Sequence, residues 1–176
     1  TVSVDTITDI MCGASRPTHF QGVTTVCAKL FNIVKPDFAV FGQKDFQQLV
    51  VLKRMVRDLN MSIEIIMAPI VREADGLALS SRNKYLSAGE REEALLLNCS
   101  LAAAVEMIKK GETESAVIEE KMRKMIEAGE RARIDYLTIV HPDTLEELET
   151  IKDKAVVALA VFIGNTRLID NVLIEV

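Results

Sequence analysis

A polar turn between an apolar run and a helical pattern carries the groups in this sequence that are best suited to phosphate. Gly42, Gln43, Lys44 and Asp45 follow the apolar run 39–41. Gly42 permits a tight turn or a close approach to a ligand, Lys44 offers a point charge for phosphate oxygens, and Asp45 has a side chain that caps helices. A helix starting here adds free backbone N–H groups and a positive dipole end. An ordinary turn with a solvated lysine would contain the same residues, so the turn alone leaves both interpretations open.

Gln48 extends this group of residues into the predicted helix. It follows Lys44 by one helical turn, and residues at this spacing lie on the same face of a helix. The side chains of Gln48 and Lys44 can therefore face one cavity, which makes Gln48 a second candidate ligand-binding residue.

A second polar cluster covers residues 71–83. Ser80 and Ser81 place two hydroxyls beside the guanidinium of Arg82, and this combination suits a polyphosphate. Gly76 predicts a turn or a hinge. A polar interdomain linker is the alternative interpretation. Both clusters lie near ends of predicted strands, where open α/β sheets bind their ligands.

Arg16 and His19 form a third and weaker candidate site, because they stand three residues apart at the start of a predicted helix. For His19 the alternative is a helix-start residue with a local hydrogen bond. His141, which precedes a proline, is interpreted as a surface residue of a turn. The acidic run 146–149 is interpreted as a solvated helix face rather than a catalytic pair of carboxylates.

Helix and strand patterns around the first cluster predict parallel βαβ units. Apolar residues spaced by three and four predict an amphipathic helix over 19–34 with one buried stripe. The all-apolar run 38–41 predicts a buried parallel strand, residues 45–59 a second helix, and the Ile-rich stretch 62–68 a second strand. Alternating helices and strands of this length are typical of a parallel sheet with helices on its faces.

The first residues of the chain predict less regular structure. Residues 1–4 alternate like a strand, and residues 5–11 predict a short helix that Asp5 caps and that ends near Gly13. The chain opens without an initiator methionine. We therefore expect it to be a fragment of a longer protein.

The second half of the chain predicts a small α+β domain with an antiparallel sheet. Ser87 and Glu90 have capping-box spacing, and a long helix follows to Gly111. The remaining pattern predicts a helix over 114–128, a strand over 134–140, a short acidic helix near 144–149, a central strand over 155–163 and a hairpin strand over 167–176. We place the domains at 1–78 and 79–176.

Composition limits the possible functions. The 176 residues carry a net charge of −5, which argues against a nucleic-acid-binding surface. No apolar run approaches the ~20 residues of a membrane span, so no membrane association is expected. The three cysteines, Cys12, Cys27 and Cys99, lack metal-site or disulfide spacing. They are interpreted as buried reduced thiols of a cytoplasmic protein, with no metal ligands in the chain.

Four segments taken together resemble the pantothenate synthetase (pantoate–β-alanine ligase) family. They are RPTHFQGV at 16–23, FGQKDFQQ at 41–48, VREADGLALSSRN at 71–83 and GNTRLIDN at 164–171. Their order and spacing are similar to those of the family from about Gly13 to the end of the chain. The resemblance implies the second half of a Rossmann-like nucleotide-binding domain, followed by an α+β lid domain.

The resemblance also implies a reaction and its participants. ATP and pantoate would form pantoyl adenylate with release of pyrophosphate, and the amine of β-alanine would then attack to give pantothenate and AMP. Mg²⁺ would accompany ATP, and the intact enzyme would be a homodimer.

The resemblance assigns roles to individual residues. Lys44, Ser80, Ser81 and Arg82 would be the catalytic groups. Pantoate would bind at Gln48, with Arg16 and His19 as weaker candidates. The ATP site would contain Gly42, Gln43, Lys44, Asp45, Val71, Leu79, Ser80, Ser81 and Arg82.

One part of the family pattern is missing from this sequence. The early glycine-containing loop with two histidines does not occur, and neither His19 nor His141 lies in such a context. We therefore expect the chain to be inactive alone and to leave an apolar sheet edge and helix face exposed. The alternative function is a non-catalytic nucleotide-binding or lid module.

Overall fold

The chain folds into two compact units, Thr1–Pro69 and Ile70–Val176, in a computed structural model that describes all 176 residues. The first unit contains α1 (Cys12–Ser15), α2 (His19–Val34), β1 (Phe38–Gly42), α3 (Phe46–Asp58) and β2 (Glu64–Ala68). The second contains α4 (Ala88–Lys109), α5 (Ser115–Ile126), β3 (Ala132–Val140), β4 (Lys154–Ile163) and β5 (Thr166–Glu175). Short 3₁₀ turns cover Gln43–Asp45 and Ser81–Tyr85.

The first unit has the predicted βαβ arrangement. Strands β1 and β2 pair in parallel, from Phe38 opposite Glu64 to Gly42 opposite Ala68. Helix α3 connects them and buries its apolar face, on which Val51 and Leu52 are fully buried. The parallel sheet and the bounds of α2 are therefore confirmed, and α3 begins one residue later than its pattern predicted.

The predicted burial of the α2 stripe and of β1 is wrong for this chain. On α2 the buried residues are Phe20, Thr24 and Ala28. Phe38 and Val40 of β1 are 58% and 56% exposed. The physical reason is that β1 and β2 pair only with each other, so no further layer covers this face. The expected exposed apolar edge and helix face are thus confirmed; their members include Val26, Leu30, Ile33, Phe38 and Val40.

Residues 1–11 form neither the predicted strand nor the predicted helix. The N–H of Val2 donates to Oγ1 of Thr25, and its carbonyl accepts from Oγ1 of Thr24. This stretch therefore bonds to side chains of α2 rather than to a neighbouring strand. Residues 6–11 form turns, and the only helical turn is α1, immediately after them.

The second unit places α4 and α5 against an antiparallel sheet of order β3–β4–β5. Strand β4 is central and almost entirely buried, as its apolar sequence predicted. Ser87 and Glu90 form the predicted capping box at the start of α4. Gly164, at φ +55, supports the predicted hairpin between β4 and β5. The α+β architecture of this unit is therefore confirmed.

Two further predictions are wrong, one for the second unit and one for the cysteines of the whole chain. The acidic segment 144–149 is not helical, because Glu147 and Thr150 form isolated bridges with Val140 and Glu114 instead. The cysteines do not share one environment either: Cys12 is buried, Cys27 is half-buried and Cys99 is exposed, and all three are free. The helix surface at Cys99 faces solvent, so its thiol is not part of the core.

The boundary between the units lies at Pro69/Ile70, earlier than the 78/79 position inferred from sequence. Residues 70–78 make their side-chain bonds within the second unit. Arg72, for example, pairs with Asp170 of β5, and Glu73 pairs with Arg91 of α4.

None of the helices combines the length and the apolarity that crossing a membrane would require.

Candidate functional site

The strand-to-helix turn of the first unit exists as the sequence predicted. Strand β1 ends at Gly42, one 3₁₀ turn covers Gln43–Asp45, and α3 begins at Phe46. Gln43 and Lys44 are half-buried at this turn. The arrangement brings Lys44 to the N-terminal end of α3, where backbone N–H groups and the helix dipole favour anions.

Gly42 does not adopt a backbone conformation that only glycine favours. Its φ of −72° and ψ of 135° are open to any residue, so the predicted tight glycine turn is wrong. A Cβ atom built on Gly42 would meet no atom within 4 Å. Neither the backbone nor the packing of this chain therefore requires glycine here. Close approach of a ligand at Gly42 stays a prediction, beside the alternative of an ordinary turn.

Asp45 occupies the N-cap position of α3 but its side chain makes no capping hydrogen bond, so the predicted cap is wrong. Its φ of −95° and ψ of 55° differ from the extended conformation in which an N-cap side chain reaches the following N–H groups. The first turn of α3 consequently begins without a side-chain cap.

The two adjacent glutamines at the start of α3 have different roles. Gln47 is buried; its Oε1 accepts from the N–H of Cys12 at 3.0 Å, and its Nε2 donates to the carbonyls of Ile7 and Ile10. Gln48 is half-buried on the neighbouring face of the helix. Gln47 thus fixes the N-terminal turns, a role that sequence reasoning missed because its partners lie 35 to 40 residues away.

Arg16 and His19 do lie together, as their spacing predicted. A guanidinium nitrogen of Arg16 is 3.1 Å from Nε2 of His19, and the imidazole also contacts the ring of Phe20. His19 is the first residue of α2, and its N–H donates to the carbonyl of Arg16. The local hydrogen bond expected in the alternative interpretation is therefore present.

Residues 71–79 of the second unit form a small hairpin, which we call the 71–79 hairpin. The N–H of Leu79 donates to the carbonyl of Val71 at 2.9 Å, and the N–H of Glu73 donates to the carbonyl of Leu77 at 2.8 Å. Gly76, at φ +93, forms the turn at its tip, where a glycine is needed because other residues rarely adopt this conformation.

The hairpin brings together two residues that the sequence separates. Val71 and Leu79 are hydrogen-bonded partners at its open end, and their side chains are 64% and 56% exposed. Two neighbouring exposed aliphatic side chains form an apolar surface suited to the face of a flat ring. Ser80, Ser81 and Arg82 follow directly.

These three residues, which we call the 80–82 turn, are the N-cap and the first two residues of the 3₁₀ helix Ser81–Tyr85. The hydroxyl of Ser80 accepts from the N–H of Arg82 at 3.2 Å, which caps that helix. Ser81 and Arg82 are exposed. The structure therefore brings the predicted ATP-binding residues of the second unit together at the end of the 71–79 hairpin.

A charged network holds the hairpin to α4. Arg91 contacts Glu73 at 2.7 Å and Asp75 at 2.6 Å, and Nδ2 of Asn83 donates to Oε1 of Glu73 at 2.5 Å. Hydrogen bonds from Asn83 and then Arg91 lower the pKa of Glu73. Hydrogen bonds from Arg91 and then from the N–H of Leu77 lower the pKa of Asp75. Both carboxyl groups therefore favour their charged form in the folded unit.

A second anchor ties the hairpin to the sheet. The guanidinium of Arg72 makes two hydrogen bonds to Asp170, at 2.7 and 3.0 Å, and a third to the carbonyl of Gly76. Asp170 is 3% exposed. Sequence reasoning gave neither Asp170 nor Arg91 a role. For Asp170 a signal existed, because it lies in the 164–171 segment that carries the family resemblance.

The candidate residues fall into two groups, one in each unit. One group surrounds the start of α3 and consists of Gly42, Gln43, Lys44, Asp45 and Gln48. Near it in sequence, Arg16 precedes α2 and His19 is the first residue of α2. The others belong to the 71–79 hairpin and the 80–82 turn. No group of three or more His, Cys, Asp or Glu side chains is placed to hold a metal ion.

The fold defines the class of the protein. It is an α/β protein whose first unit is the second half of a Rossmann-like, parallel-sheet domain and whose second unit is a small α+β fold with an antiparallel sheet.

Comparison with known proteins gives the family. The Pantoate-beta-alanine ligase family matches residues 1–173. The pantothenate synthetase of Moorella thermoacetica is 59% identical over 175 residues, which are 99% of this chain and 62% of that protein. The chain therefore belongs to the pantoate–β-alanine ligase family, and it spans about three-fifths of the length of such relatives.

Solved structures agree with this assignment. The crystal structure of pantothenate synthetase from Thermus thermophilus matches with a TM-score of 0.93 and 45% identity, covering 97% of this chain and 62% of that one. Pantoate-beta-alanine ligase from Francisella tularensis, complexed with beta-gamma ATP and beta-alanine, matches with a TM-score of 0.66 and 31% identity, covering 98% and 57%.

Proposed function

We propose that this chain carries ATP- and pantoate-binding residues of an ATP-dependent ligase that joins pantoate to β-alanine. The observation that carries the proposal is the grouping of Val71, Leu79 and the 80–82 turn at one end of a hairpin. Family membership and the Francisella tularensis complex, whose description names an ATP compound and beta-alanine, support the same assignment.

Different ATP-binding residues of the second unit would contact different parts of the nucleotide. Val71 and Leu79 contact the adenine ring with their exposed side chains. Ser81 and Arg82 bind phosphate oxygens, and Ser80 shapes their turn by accepting from the N–H of Arg82. A guanidinium and hydroxyls match the geometry of phosphate.

The turn at the start of α3 would also take part in ATP binding. Lys44 contacts a phosphate as a point charge, and the open space at Gly42 lets the backbone approach the nucleotide. Gln43 and Asp45 belong to the same ATP-binding turn. Gln48, one helical turn further along α3, donates to pantoate, and Arg16 and His19 border the pantoate pocket.

The chemistry needs positioned charge rather than a nucleophilic side chain. A carboxylate oxygen of pantoate attacks the α-phosphorus of ATP, the bond to the β,γ-pyrophosphate breaks, and pantoyl adenylate forms. The amine of β-alanine then attacks the acyl carbon, and AMP leaves. Negative charge grows on the α-phosphate and the pyrophosphate, so Lys44 and Arg82 stabilise the transition state, while binding both substrates in line removes much of the entropic cost. Mg²⁺ arrives with ATP as part of that substrate.

Gln48→Ala tests the pantoate assignment. The change should raise KM for pantoate about tenfold and KM for ATP less than twofold, since one hydrogen bond to a bound substrate contributes roughly 1–1.5 kcal/mol. Gln43→Ala, at the ATP-binding turn, should show the opposite pattern. Equal effects of Gln48→Ala on both substrates would contradict the assignment.

We further propose that residues 1–176 do not form pantothenate alone. The exposed apolar face around Phe38 and Val40 and the greater length of the relatives support this proposal. The test compares AMP formation by this chain with that of a chimera in which the N-terminal part of the Moorella thermoacetica enzyme precedes it. Activity of the chain alone would refute the proposal.

The alternative, a non-catalytic nucleotide-binding module, predicts a different result. It requires ATP to bind both the chain and the chimera while neither forms AMP. Calorimetric titration with ATP, with and without Lys44→Ala, measures the binding. Loss of binding in the variant together with AMP formation by the unaltered chimera would favour the ligase.

The proposal includes a cytoplasmic homodimer for the whole enzyme. Three free cysteines fit a reducing compartment, and the dimer is inferred from the family resemblance. Light scattering of the chimera would determine its oligomeric state.

A further inference from the structure

Asn83 is a buried residue in an exposed segment. Ser81 and Arg82 before it and Lys84 and Tyr85 after it are exposed, whereas Asn83 is 8% exposed. Buried amides are expected to form hydrogen bonds. The contacts of this side chain therefore indicate why an asparagine occupies the position.

The amide of Asn83 connects both strands of the 71–79 hairpin. Its Nδ2 donates to Oε1 of Glu73 on the first strand at 2.5 Å and to the carbonyl of Ala78 on the second at 3.1 Å. The N–H of Asn83 also donates to the carbonyl of Ser80 at 3.1 Å. One residue thus fixes the hairpin and the 80–82 turn relative to each other.

The other atom of the amide indicates that asparagine is not the best residue here for stability alone. Oδ1 of Asn83 is buried and has no hydrogen-bond partner, which is unfavourable for stability. Rotating the amide would not help, because its oxygen would then face the carboxylate of Glu73 and the carbonyl of Ala78, both acceptors. A leucine of similar shape would avoid the unpartnered oxygen but would lose both donated hydrogen bonds.

We propose that Asn83 is a positioning residue, whose buried amide holds the 80–82 turn in the geometry that binds the phosphates of ATP. Glu73 is its partner, and Arg91 in turn holds Glu73 at 2.7 Å. The inference rests on the proposed function, because it assigns a purpose to the geometry of residues taken there to bind ATP.

The experiment measures kcat and KM for each substrate in the chimera with full ATP-dependent activity. Asn83→Leu, which removes the donor but keeps the volume, should lower kcat/KM for ATP about 10-fold to 100-fold, because small displacements of positioned groups have effects of that size. KM for pantoate should change less than twofold. Asn83→Asp places an acceptor against Glu73 and Ala78, and should lower kcat/KM for ATP at least as much.

A matched control separates positioning from loss of stability. Ser87→Ala removes the capping box of α4 in the same unit without touching Asn83 or the hairpin, and should lower the melting temperature without changing kcat/KM. All assays run at a temperature where circular dichroism shows each variant folded. A folded Asn83→Leu enzyme with unchanged kcat/KM for ATP would overturn the inference.

A second variant covers the case in which Asn83→Leu does not fold. Glu73→Ala releases the same amide from a half-buried partner, and should lower kcat/KM for ATP in the same direction. Unchanged ATP kinetics in folded Glu73→Ala would equally count against the inference.

Arg82→Ala distinguishes this inference from the proposed function. If Arg82→Ala leaves ATP kinetics unchanged, the proposed ATP site fails. If Arg82→Ala lowers kcat/KM for ATP and Asn83→Leu does not, only the positioning role fails.

Discussion

The turn at residues 42–48 and the 71–79 hairpin prepare polar groups for a ligand in opposite ways. At the first, glycine is required by neither backbone nor packing, and the following helix begins without a side-chain cap. At the second, two ion-pair networks and a buried amide fix each strand. The first region therefore offers open space beside Gly42 and a helix start without a side-chain cap. The second offers side chains whose positions other residues determine.

Substitutions in the two regions should therefore have different effects on folding stability and on ligand binding. Substitutions of Gly42, Lys44 or Gln48 should affect ligand binding more than folding, whereas substitutions in the supports of the hairpin should affect folding as well.

The largest expected effect is on stability, from Arg72→Ala. The change leaves Asp170, 3% exposed, as a buried charge without its two Arg72 hydrogen bonds, which should lower the free energy of unfolding by about 3–5 kcal/mol. Urea denaturation measures it. Lys124→Ala, which breaks the exposed pair with Glu120, is the control and should cost less than about 1 kcal/mol. Equal losses would mean that the Arg72 pair does not anchor the hairpin.

Lys44→Ala and Arg82→Ala should have the next largest effect, on catalysis. Each should lower the rate of adenylate formation about 10²–10³-fold, as loss of a group stabilising developing charge does. Pyrophosphate exchange measures the rate. The melting temperature of Arg82→Ala should remain within about 2 °C, because Arg82 is exposed and surface substitutions change stability little. Lys84→Ala, two residues after Arg82 and also exposed, is the matched control. A large loss of stability with normal rates would show that Lys44 or Arg82 is structural.

A pair of glycine substitutions should give smaller and opposite effects. Gly42→Ala should leave stability unchanged, since its φ is ordinary and no atom lies within 4 Å of the added Cβ, but should weaken ATP binding about tenfold by occupying the ligand's space. Gly76→Ala, at φ +93, should instead lower stability by about 1–2 kcal/mol. Calorimetry and thermal melts measure the two effects. Unchanged ATP affinity in Gly42→Ala would remove the argument for close approach.

The smallest expected effect is the pH dependence of the hairpin's support. Glu73 and Asp75 have lowered pKa values in the folded unit, through Asn83 and Arg91 for Glu73 and through Arg91 and the Leu77 N–H for Asp75. A lowered folded pKa contributes stability that is present above the unfolded value of about 4 and is lost as the pH falls through the folded pKa.

Arg91→Met tests that linkage. The substitution should reduce the difference between pH 7 and pH 3 in the urea concentration at which half of the protein is unfolded. The reason is that Glu73 and Asp75 lose the cation that they share. Arg123→Met, at an exposed pair with Glu127, is the control and should keep the full difference. An unchanged pH dependence in Arg91→Met would contradict the assigned cause.

Features that depend on neighbours along the chain could be predicted from the sequence alone. The spacing of apolar residues gave α2 its bounds, Ser87 and Glu90 specified the capping box, and Gly164 marked the hairpin between β4 and β5. Its motifs also indicated the family. Each of these signals is local, because helix periodicity, caps and turns involve residues within a few positions of one another.

Contacts between residues that are distant in sequence could be identified only from the tertiary structure. Arg72 and Asp170 are 98 residues apart, and Gln47 binds carbonyls 37 and 40 residues before it; no periodicity encodes such pairs. The structure also decided which apolar faces are covered, because a hydrophobic stripe records that a residue prefers burial but not whether a layer packs against it. The exposed Phe38 and Val40 belong to a strand whose sequence predicted burial, and their exposure depends on which elements pack there.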